Sequence, residues 1–326
     1  MRHLHAHDRR RDGKIARVST SPGGSEVEVR PFRRSDRQQL AALVNAHVSA
    51  VIPGVALSVA SVVSSLERDP GEYVVDPWVV ERATLVAEQR QRIVAAAHLL
   101  RYGSHDRVGE TYRDAGEIRW LLCWPAVPRW PDATLAGDQL TQACISQLDR
   151  WGVRRRYADG TLPVPAVYGV PEQWPHIREI YERAGFKAND RTEIVFVVAV
   201  STVPRWRPSL PGLNIRRTLG VNGTRIWALT GDTVVGYIEV DTNLGEANRA
   251  AGIATWADIG NLEVVEGHRG KGVGSWLVAE AAGWLELAGV TRLLDYAGPD
   301  DIVCIEFLER LGFRELTRTV RGYELP

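Results

Sequence analysis

Asn261 to Gly274 reads N-L-E-V-V-E-G-H-R-G-K-G-V-G, in which an apolar strand runs directly into a glycine-rich turn. A helix is predicted after the turn, because the apolar residues that follow recur at helical spacing. These residues are Leu277, Ala281, Trp284, Leu285 and Ala288. Glycines let the backbone approach an anion, and a helix N-terminus points amide groups and partial positive charge at it. Arg269 and Lys271 add formal positive charge, so the turn is predicted to hold a pyrophosphate.

The spacing of the glycines distinguishes this turn from other phosphate-binding turns. It matches neither the dinucleotide-binding pattern G-x-G-x-x-G nor the ATP-binding pattern G-x-x-x-x-G-K-[ST]. Arg269-x-x-Gly272-x-Gly274 resembles instead [RQ]-x-x-G-x-[GA], the acyl-coenzyme A signature of the GNAT superfamily of N-acetyltransferases. Downstream, F-L-E-R-L-G-F at Phe307 to Phe313 resembles the second hallmark of that family, a helix that closes on Y-E-x-x-G-F. The alternative is an ordinary strand-turn-helix connection whose glycines serve tight packing.

The first half of the chain is similar to the same family in a degenerate form. Its predicted order is strand, two helices, three strands, helix, strand, helix and strand, with the last two strands at residues 166–169 and 192–200. I-Y-E-R-A-G-F at Ile180 to Phe186 resembles the closing hallmark more closely than the later copy does. Where the phosphate turn belongs, however, stand Pro125, Pro128 and Pro131. Proline has no amide hydrogen to donate, so this half is expected not to bind coenzyme A.

The chain is therefore predicted to be a tandem. Its 326 residues, 44% of them hydrophobic, are enough for two domains. We predict a disordered tail at 1–25, a first domain at 26–203, a proline-rich linker at 204–212 and a second domain at 213–326. The predicted fold class is α/β (or α+β), with two GNAT-like domains that each have a mixed, mostly antiparallel twisted sheet flanked by helices.

One detail of the second predicted domain differs from the family pattern. The two helices that usually follow the first strand are missing, because only 219–223 separates the first two predicted strands. Its last two strands are predicted at 313–320 and 322–325.

Composition excludes some classes of partner. The 40 basic and 40 acidic residues cancel, which does not favour nucleic acid or an anionic membrane surface. No apolar stretch is long enough to span a membrane. The three cysteines include no C-x-x-C pair and are expected to be reduced thiols in a cytoplasmic protein. No metal is expected, and the protein is expected to be a monomer or homodimer.

The resemblance implies acetyl-CoA as co-substrate and a set of residues to bind it. The strand edge would bind the pantetheine arm, the turn would bind the pyrophosphate, and Asp301 takes the position of a family asparagine that touches the coenzyme. The implied residues are Leu262, Val264, Val265, Arg269, Gly270, Lys271, Gly272, Val273, Gly274, Ser275 and Asp301.

The resemblance also implies catalytic residues. A carboxylate base in this family lies eleven residues before the signature's first residue, which here is Asp258, and Glu263 is the other nearby carboxylate. Asp258 is alternatively a solvated residue at the start of a strand. The usual acid is the tyrosine of the closing hallmark, but Leu308 stands there and cannot donate a proton. Tyr296 is a candidate substitute, or else a core aromatic.

Two functions follow from these residues. One is an acetyl-CoA-dependent N-acetyltransferase that moves an acetyl group directly to the amine of a small molecule or peptide. The other is a non-catalytic acyl-CoA-binding or regulatory protein, which Leu308 favours.

Overall fold

A computed structural model describes residues 26–67, 76–125, 133–162, 168–221, 223–242 and 255–326. The predicted tail, Pro128, Pro131 and half of the segment predicted as a strand at 166–169 lie outside these ranges.

The described residues form two successive runs of helices and strands. The first run is β1 (Glu28–Pro31), α1 (Arg37–Val51), α2 (Val59–Ser65), β2 (Val79–Gln89), β3 (Arg92–Tyr102), β4 (Ala115–Cys123), α3 (Ala133–Trp151), β5 (Arg155–Ala158), β6 (Val170–Pro171), α4 (Pro175–Arg183) and β7 (Lys187–Ala199). The second run is β8 (Leu213–Leu219), β9 (Thr224–Thr230), β10 (Thr233–Asp241), β11 (Trp256–Val264), α5 (Val273–Leu287), β12 (Arg292–Ala297), α6 (Ile302–Arg310) and β13 (Arg314–Leu325). We call β1 to β7 the first unit and β8 to β13 the second unit.

Both units contribute strands to one continuous sheet. Its order is β1-β2-β3-β4-β5-β13-β7-β12-β11-β10-β9-β8, and β6 pairs with β13 outside that path. The last strand of the second unit, β13, lies between β5 and β7 and is antiparallel to both. The last strand of the first unit, β7, lies between β13 and β12. Each unit therefore places its final strand inside the other unit's part of the sheet.

The two central strands connect two hydrophobic clusters. Successive side chains of a strand point to opposite faces of the sheet. On β7, Val195 and Val197 accordingly join the cluster around α1, α3 and α4. Ile194, Phe196 and Val198 join the cluster beneath α5. A single strand thus packs against the helices of both units.

The second unit lacks the helices that follow the first strand in the first unit, as predicted. A short turn joins β8 to β9, in which Gly220 N donates to Gly223 O over 2.7 Å. The predicted fold, a tandem whose second half repeats the element order of the first half without these two helices, is confirmed.

The prediction of a strand at 166–169 is wrong for the residues that the structure describes there. The strand that follows α3 is β5, and the described residues Tyr168 and Gly169 lie outside any strand. β5 contains Arg155 and Arg156, for which the sequence analysis predicted no strand. It is a strand because it is parallel to β4 on one side and antiparallel to β13 on the other.

The two predicted closing strands are one strand. β13 continues through Gly322, where its pairing with β7 shifts register between Arg321 and Tyr323. Gly322 has a φ of +75°, which an L side chain rarely adopts. The glycine therefore marks a β-bulge inside a long strand and not a turn between two short ones.

Candidate active site

The glycine-rich turn after β11 presents amide groups without acceptors. Gly270 and Gly272 have φ values of +71° and +80°, and Gly272 is the N-cap of α5. The first bond of the helix runs from Trp276 N to Gly272 O over 3.0 Å. Within the described ranges, the amides from Gly270 to Ser275 find no carbonyl partner. The turn therefore has the free donors and the helix N-terminus that an anion requires.

The two cations of the turn are held by backbone oxygens. Arg269 Nε donates to Val264 O over 2.9 Å, and Lys271 Nζ donates to Gly267 O over 2.8 Å. Both residues are exposed, and each keeps further N–H groups for an anion.

The predicted linker packs against this turn. Ser209 N donates to Lys271 O over 3.2 Å, and a Cβ atom placed on Gly272 would lie 3.5 Å from Pro208. The chain between the two units thus supports the turn from one side.

A groove leads from the turn into the sheet because β11 and β12 separate. β11 pairs with β10 from Asp258 to Val264, but with β12 only from Trp256 to Asp258. A register shift opposite Glu239 and Val240 leaves Gly260 as a bulge. Beyond Asp258, the described residues leave the edge of β11 that faces β12 without a strand partner. An extended ligand can form hydrogen bonds with such an edge as an added strand does. We call this space the groove and its inner end, at Asp258 and Leu294, the closed end.

The corresponding edge in the first unit is already occupied. β4 and β5 separate after Ile118 and Ala158, and β4 has its bulge at Arg119. There, however, Asp159 N donates to Ile118 O over 2.9 Å and Thr161 N donates to Arg119 O over 3.1 Å. The chain itself fills this edge, a reason for the expected loss of coenzyme binding that is independent of the prolines.

Asp258 lies at the closed end of the groove. It pairs with Asp241 on β10 and with Leu294 on β12, and it is half-buried. Trp256 and Leu294, which share its face of the sheet, belong to the hydrophobic cluster of the first unit. Asp258 therefore lies on the face opposite α5, at the junction of the two units.

Glu263 lies at the other end of the groove. It is exposed and pairs with Tyr237. It lies five residue steps along the strand from Asp258, a distance of roughly 16 Å. The structure does not bring these two candidate bases together.

Tyr296 and Leu308 face different hydrophobic clusters. Tyr296 packs at the edge of the first unit's cluster, with its ring centroid 6.4 Å from that of Tyr168. Leu308 is 0% exposed and belongs to the cluster beneath α5. Asp301 caps α6, where its side chain accepts from Cys304 N over 3.0 Å.

Asp295 is a carboxylic acid in the groove that the sequence predictions missed. It is the first residue of β12 beyond the closed end, it is partly buried, and its Oδ1 accepts from Tyr296 N over 2.8 Å. Burial raises its pKa to about 7. Burial also raises the pKa of the neighbouring Cys304 thiol to about 11. The signal that could have revealed Asp295 is an acidic residue within the apolar strand L-L-D-Y-A.

The described residues include no group of three or more His, Cys, Asp or Glu side chains placed to hold a metal ion. None of the helices in the described ranges combines the length and the apolar character needed to cross a membrane.

A family model for the acetyltransferase (GNAT) family matches residues 175–313. Among curated proteins, no sequence is similar enough to count as a relative. Solved structures share the fold across nearly the whole chain.

One is a GCN5-related glucosamine N-acetyltransferase region of a fungal multi-domain β-N-acetylglucosaminidase, with a TM-score of 0.61 and 15% identity over 95% of this chain and 39% of that one. A tandem GNAT protein from the clavulanic acid biosynthesis pathway has a TM-score of 0.60 and 15% identity, over 92% of this chain and 98% of its own. A GCN5-related N-acetyltransferase from Sphaerobacter thermophilus has a TM-score of 0.58 and 15% identity, over 91% and 95%. This chain spans well under half of the fungal protein, and identities this low establish the fold alone.

Proposed function

We propose that this chain is an acetyl-CoA-dependent N-acetyltransferase, because residues 175–313 match a family model for the acetyltransferase (GNAT) family and 92% of the chain shares the fold of a tandem GNAT protein. It would move the acetyl group directly to the amine of a small molecule or peptide. The observation that carries the proposal is the continuous path from the unpartnered amides at Gly270 to Ser275, along the open edge of β11, to Asp258.

The residues present fit acetyl-CoA as the donor. The amides of the turn, with Arg269 and Lys271, would bind the pyrophosphate. The backbone of Leu262 and Val264 would hold the pantetheine arm, whose amides match a free strand edge. The chemistry that the donor supplies is an activated thioester.

Asp258 would act as the base. It lies at the closed end, where a carrier extended along β11 from the turn would present its acetyl group. A carboxylate there can accept the proton that the attacking amine loses as the new C–N bond forms, directly or through a water. Backbone donors of the strand edge would stabilise the oxyanion of the carbonyl.

The acceptor would approach from the face of the second unit that lacks the two helices. Arg225 lies on this face over the rings of Trp227 and Tyr237, at 5.1 Å and 4.8 Å from their centroids. Its Nη2 also pairs with Glu239 over 2.5 Å. This face presents aromatic surface and charge on the same side of the sheet as Asp258 and is suited to a polar amine with some apolar surface.

The second candidate function is a non-catalytic acyl-CoA-binding protein. The complete burial of Leu308 favours it, because the tyrosine that serves as acid in the family has no counterpart there. Both functions need the glycine-rich turn to bind the pyrophosphate, but only the first function needs Asp258.

Gly274→Asp tests the donor site that both functions share. A Cβ atom at Gly274 makes only ordinary contacts, the nearest 3.6 Å from Phe307, so the fold should tolerate the change. The added carboxylate would repel a pyrophosphate, and we expect acetyl-CoA binding by calorimetry to weaken at least about 100-fold. Gly283→Asp is the matched control, because the same charge enters the same helix at an exposed position with open space around it. Equal affinities in both variants would contradict this placement of the donor.

Release of coenzyme A in the presence of a panel of amines then separates the two functions. Acceleration by at least one amine supports the enzyme. Tight binding of acetyl-CoA with no acceleration by any amine supports the binding protein.

A cytoplasmic location, and a monomer or homodimer, belong to this proposal on the grounds of reduced thiols and balanced charge.

A further inference from the structure

We propose that Asp295 is a catalytic acid, and that its carboxyl group donates a proton to the thiolate of coenzyme A when the acetyl group leaves. This inference rests on the proposed N-acetyltransferase function. In the family, a tyrosine protonates the leaving thiolate, but Leu308 stands at that position here. The inference therefore assigns this step to another residue.

The position of Asp295 in the groove carries the inference. The pyrophosphate end of a carrier would lie at the turn before α5, so its thioester end would lie at the closed end, where Asp258 pairs with Leu294. Asp295 follows Leu294 directly and is thus the first side chain of β12 inside the groove. No other carboxyl group of the described part of β12 lies in the groove.

Asp258 and Asp295 flank the closed end from opposite faces of the sheet. Asp258 shares the face of Leu294, which packs with the first unit. Asp295 points the other way, because successive residues of a strand alternate. Its cross-strand neighbour, Phe196 on β7, belongs to the cluster beneath α5. Asp258 would thus act as the base from the face that the acceptor approaches. Asp295 would act as the acid from the face covered by α5, on the other side of the thioester.

The surroundings of Asp295 raise the pKa of its carboxyl group well above the usual range of an aspartate. Its only hydrogen bond within the described residues is from Tyr296 N, and it has no cationic partner there. On α6 the nearby titratable groups are Cys304 and, beside it, Asp301. The facing residues of β7 and α5 are apolar. Burial without a cation raises the pKa of Asp295 to about 7, so the group can both hold and release a proton there.

Asp258 and Asp295 together account for every proton that moves in the reaction. The amine nitrogen forms a bond to the acetyl carbon, and the carbon–sulfur bond breaks with its electron pair on sulfur. The Asp295 carboxyl proton moves to sulfur and gives a neutral thiol, while Asp258 takes the amine proton. Exchange with water then returns Asp295 to its acid form and Asp258 to its base form.

The direct test needs no acceptor, because it follows the thiol of bound coenzyme A by the ultraviolet absorbance of its thiolate. A free thiol of this kind ionises at about pH 8.5. Above pH 7 an ionised Asp295 beside the sulfur should raise the pKa of the bound thiol by about one pH unit. In Asp295→Asn, which keeps the shape and removes the charge, we expect the rise to disappear while coenzyme affinity changes less than about threefold. Asp300→Asn is the matched control, because it removes an exposed carboxylate from the loop before α6 and should behave as wild type.

The outcomes separate the two proposals. If wild type binds coenzyme A and its thiol titrates alike in wild type and Asp295→Asn, Asp295 is not beside the sulfur and the inference is wrong. If wild type does not bind coenzyme A, the proposed function fails and the inference fails with it. Melting temperatures of all three proteins check that each is folded.

Turnover gives a second readout with any amine that the panel identifies. Because the acid form of Asp295 is needed, kcat of wild type should fall as pH rises through about 7. Asp295→Asn should lose this fall and be slower by about 100-fold at pH 6. A variant that kept the wild-type rate and the wild-type pH profile would overturn the proposal.

Discussion

In the proposed mechanism, Asp258 and Asp295 have different roles because their surroundings differ. Each lies at the closed end of the groove, on a different face of the sheet. Burial among apolar groups favours the neutral form of a carboxyl group, which is the situation of Asp295. Residue identity alone does not reveal this difference in surroundings, which only the structure supplies.

Asp258→Asn is expected to lower turnover by about 100-fold or more and to leave the dissociation constant of acetyl-CoA unchanged. An amide cannot accept the amine proton, but it preserves the shape of the closed end. Steady-state kinetics with an accepted amine, alongside calorimetry with acetyl-CoA, measures both quantities. Glu263→Gln is the competing variant: a greater loss of turnover there than in Asp258→Asn would move the base to Glu263.

The turn, the linker and β11 are connected elements, and together they form the proposed donor site. Gly272 begins α5 in a left-handed conformation, and the linker contacts the turn through Pro208 and Ser209. The linker thus has a role in the site beyond joining the two units, since it holds the carbonyl of Lys271 in place.

Ser209→Pro is expected to weaken acetyl-CoA binding by up to about tenfold. The substitution removes the amide that donates to Lys271 O, a bond that contributes on the order of 1 kcal/mol to the geometry of the turn. Ser209→Ala keeps that amide and serves as the control. Calorimetry should find wild-type affinity for the alanine variant, and an unchanged affinity for the proline variant would show that the linker does not support the turn.

The sequence predicted helices and strands well where a local periodicity or turn signal is strong. It predicted them poorly where a strand forms only because distant strands pair with it. The strand, turn and helix around Gly272 are present as predicted because the turn chemistry and the helical face are both local signals. β5 was missed because Arg155 and Arg156 show no strand pattern by themselves. They lie in a strand because β4 and β13 supply the hydrogen bonds, and β13 is more than 150 residues away in the sequence.

At the scale of the whole molecule, the exchange of the two final strands ties the units together. Tyr323 on β13 is 0% exposed and packs in the cluster of the first unit. Its ring centroid lies 5.3 Å from that of Tyr181 on α4. The division into domains at 203 and 213 remains a prediction, but each unit depends on a strand supplied by the other.

Truncation after Gly312 is therefore expected to prevent the first unit from folding, even though every residue of that unit is retained. β5 and β7 would each lose one of the two strands between which they lie. Circular dichroism during heating should show one cooperative transition for the full chain and none for the truncated chain. A truncated chain that still melted cooperatively would show that the first unit folds alone.

Tyr323→Ala is a milder form of the same test. Loss of a fully buried aromatic ring should destabilise the protein by about 3–5 kcal/mol. Arg318→Ala is its control on the same strand, because the exposed pair of Arg318 with Glu315 should contribute less than about 1 kcal/mol.

By itself, the sequence determined the phosphate-type turn, the tandem of similar halves, the missing pair of helices and the position of Asp258, because these follow from local backbone chemistry and short motifs. Only the tertiary structure decided which strands are neighbours, that the first unit fills its own groove edge, and that Asp295 lies in the groove with no cationic partner among the described residues. Those features depend on hydrogen-bond partners and burial supplied by distant parts of the chain. Neither the period of a strand nor the spacing of a motif contains that information.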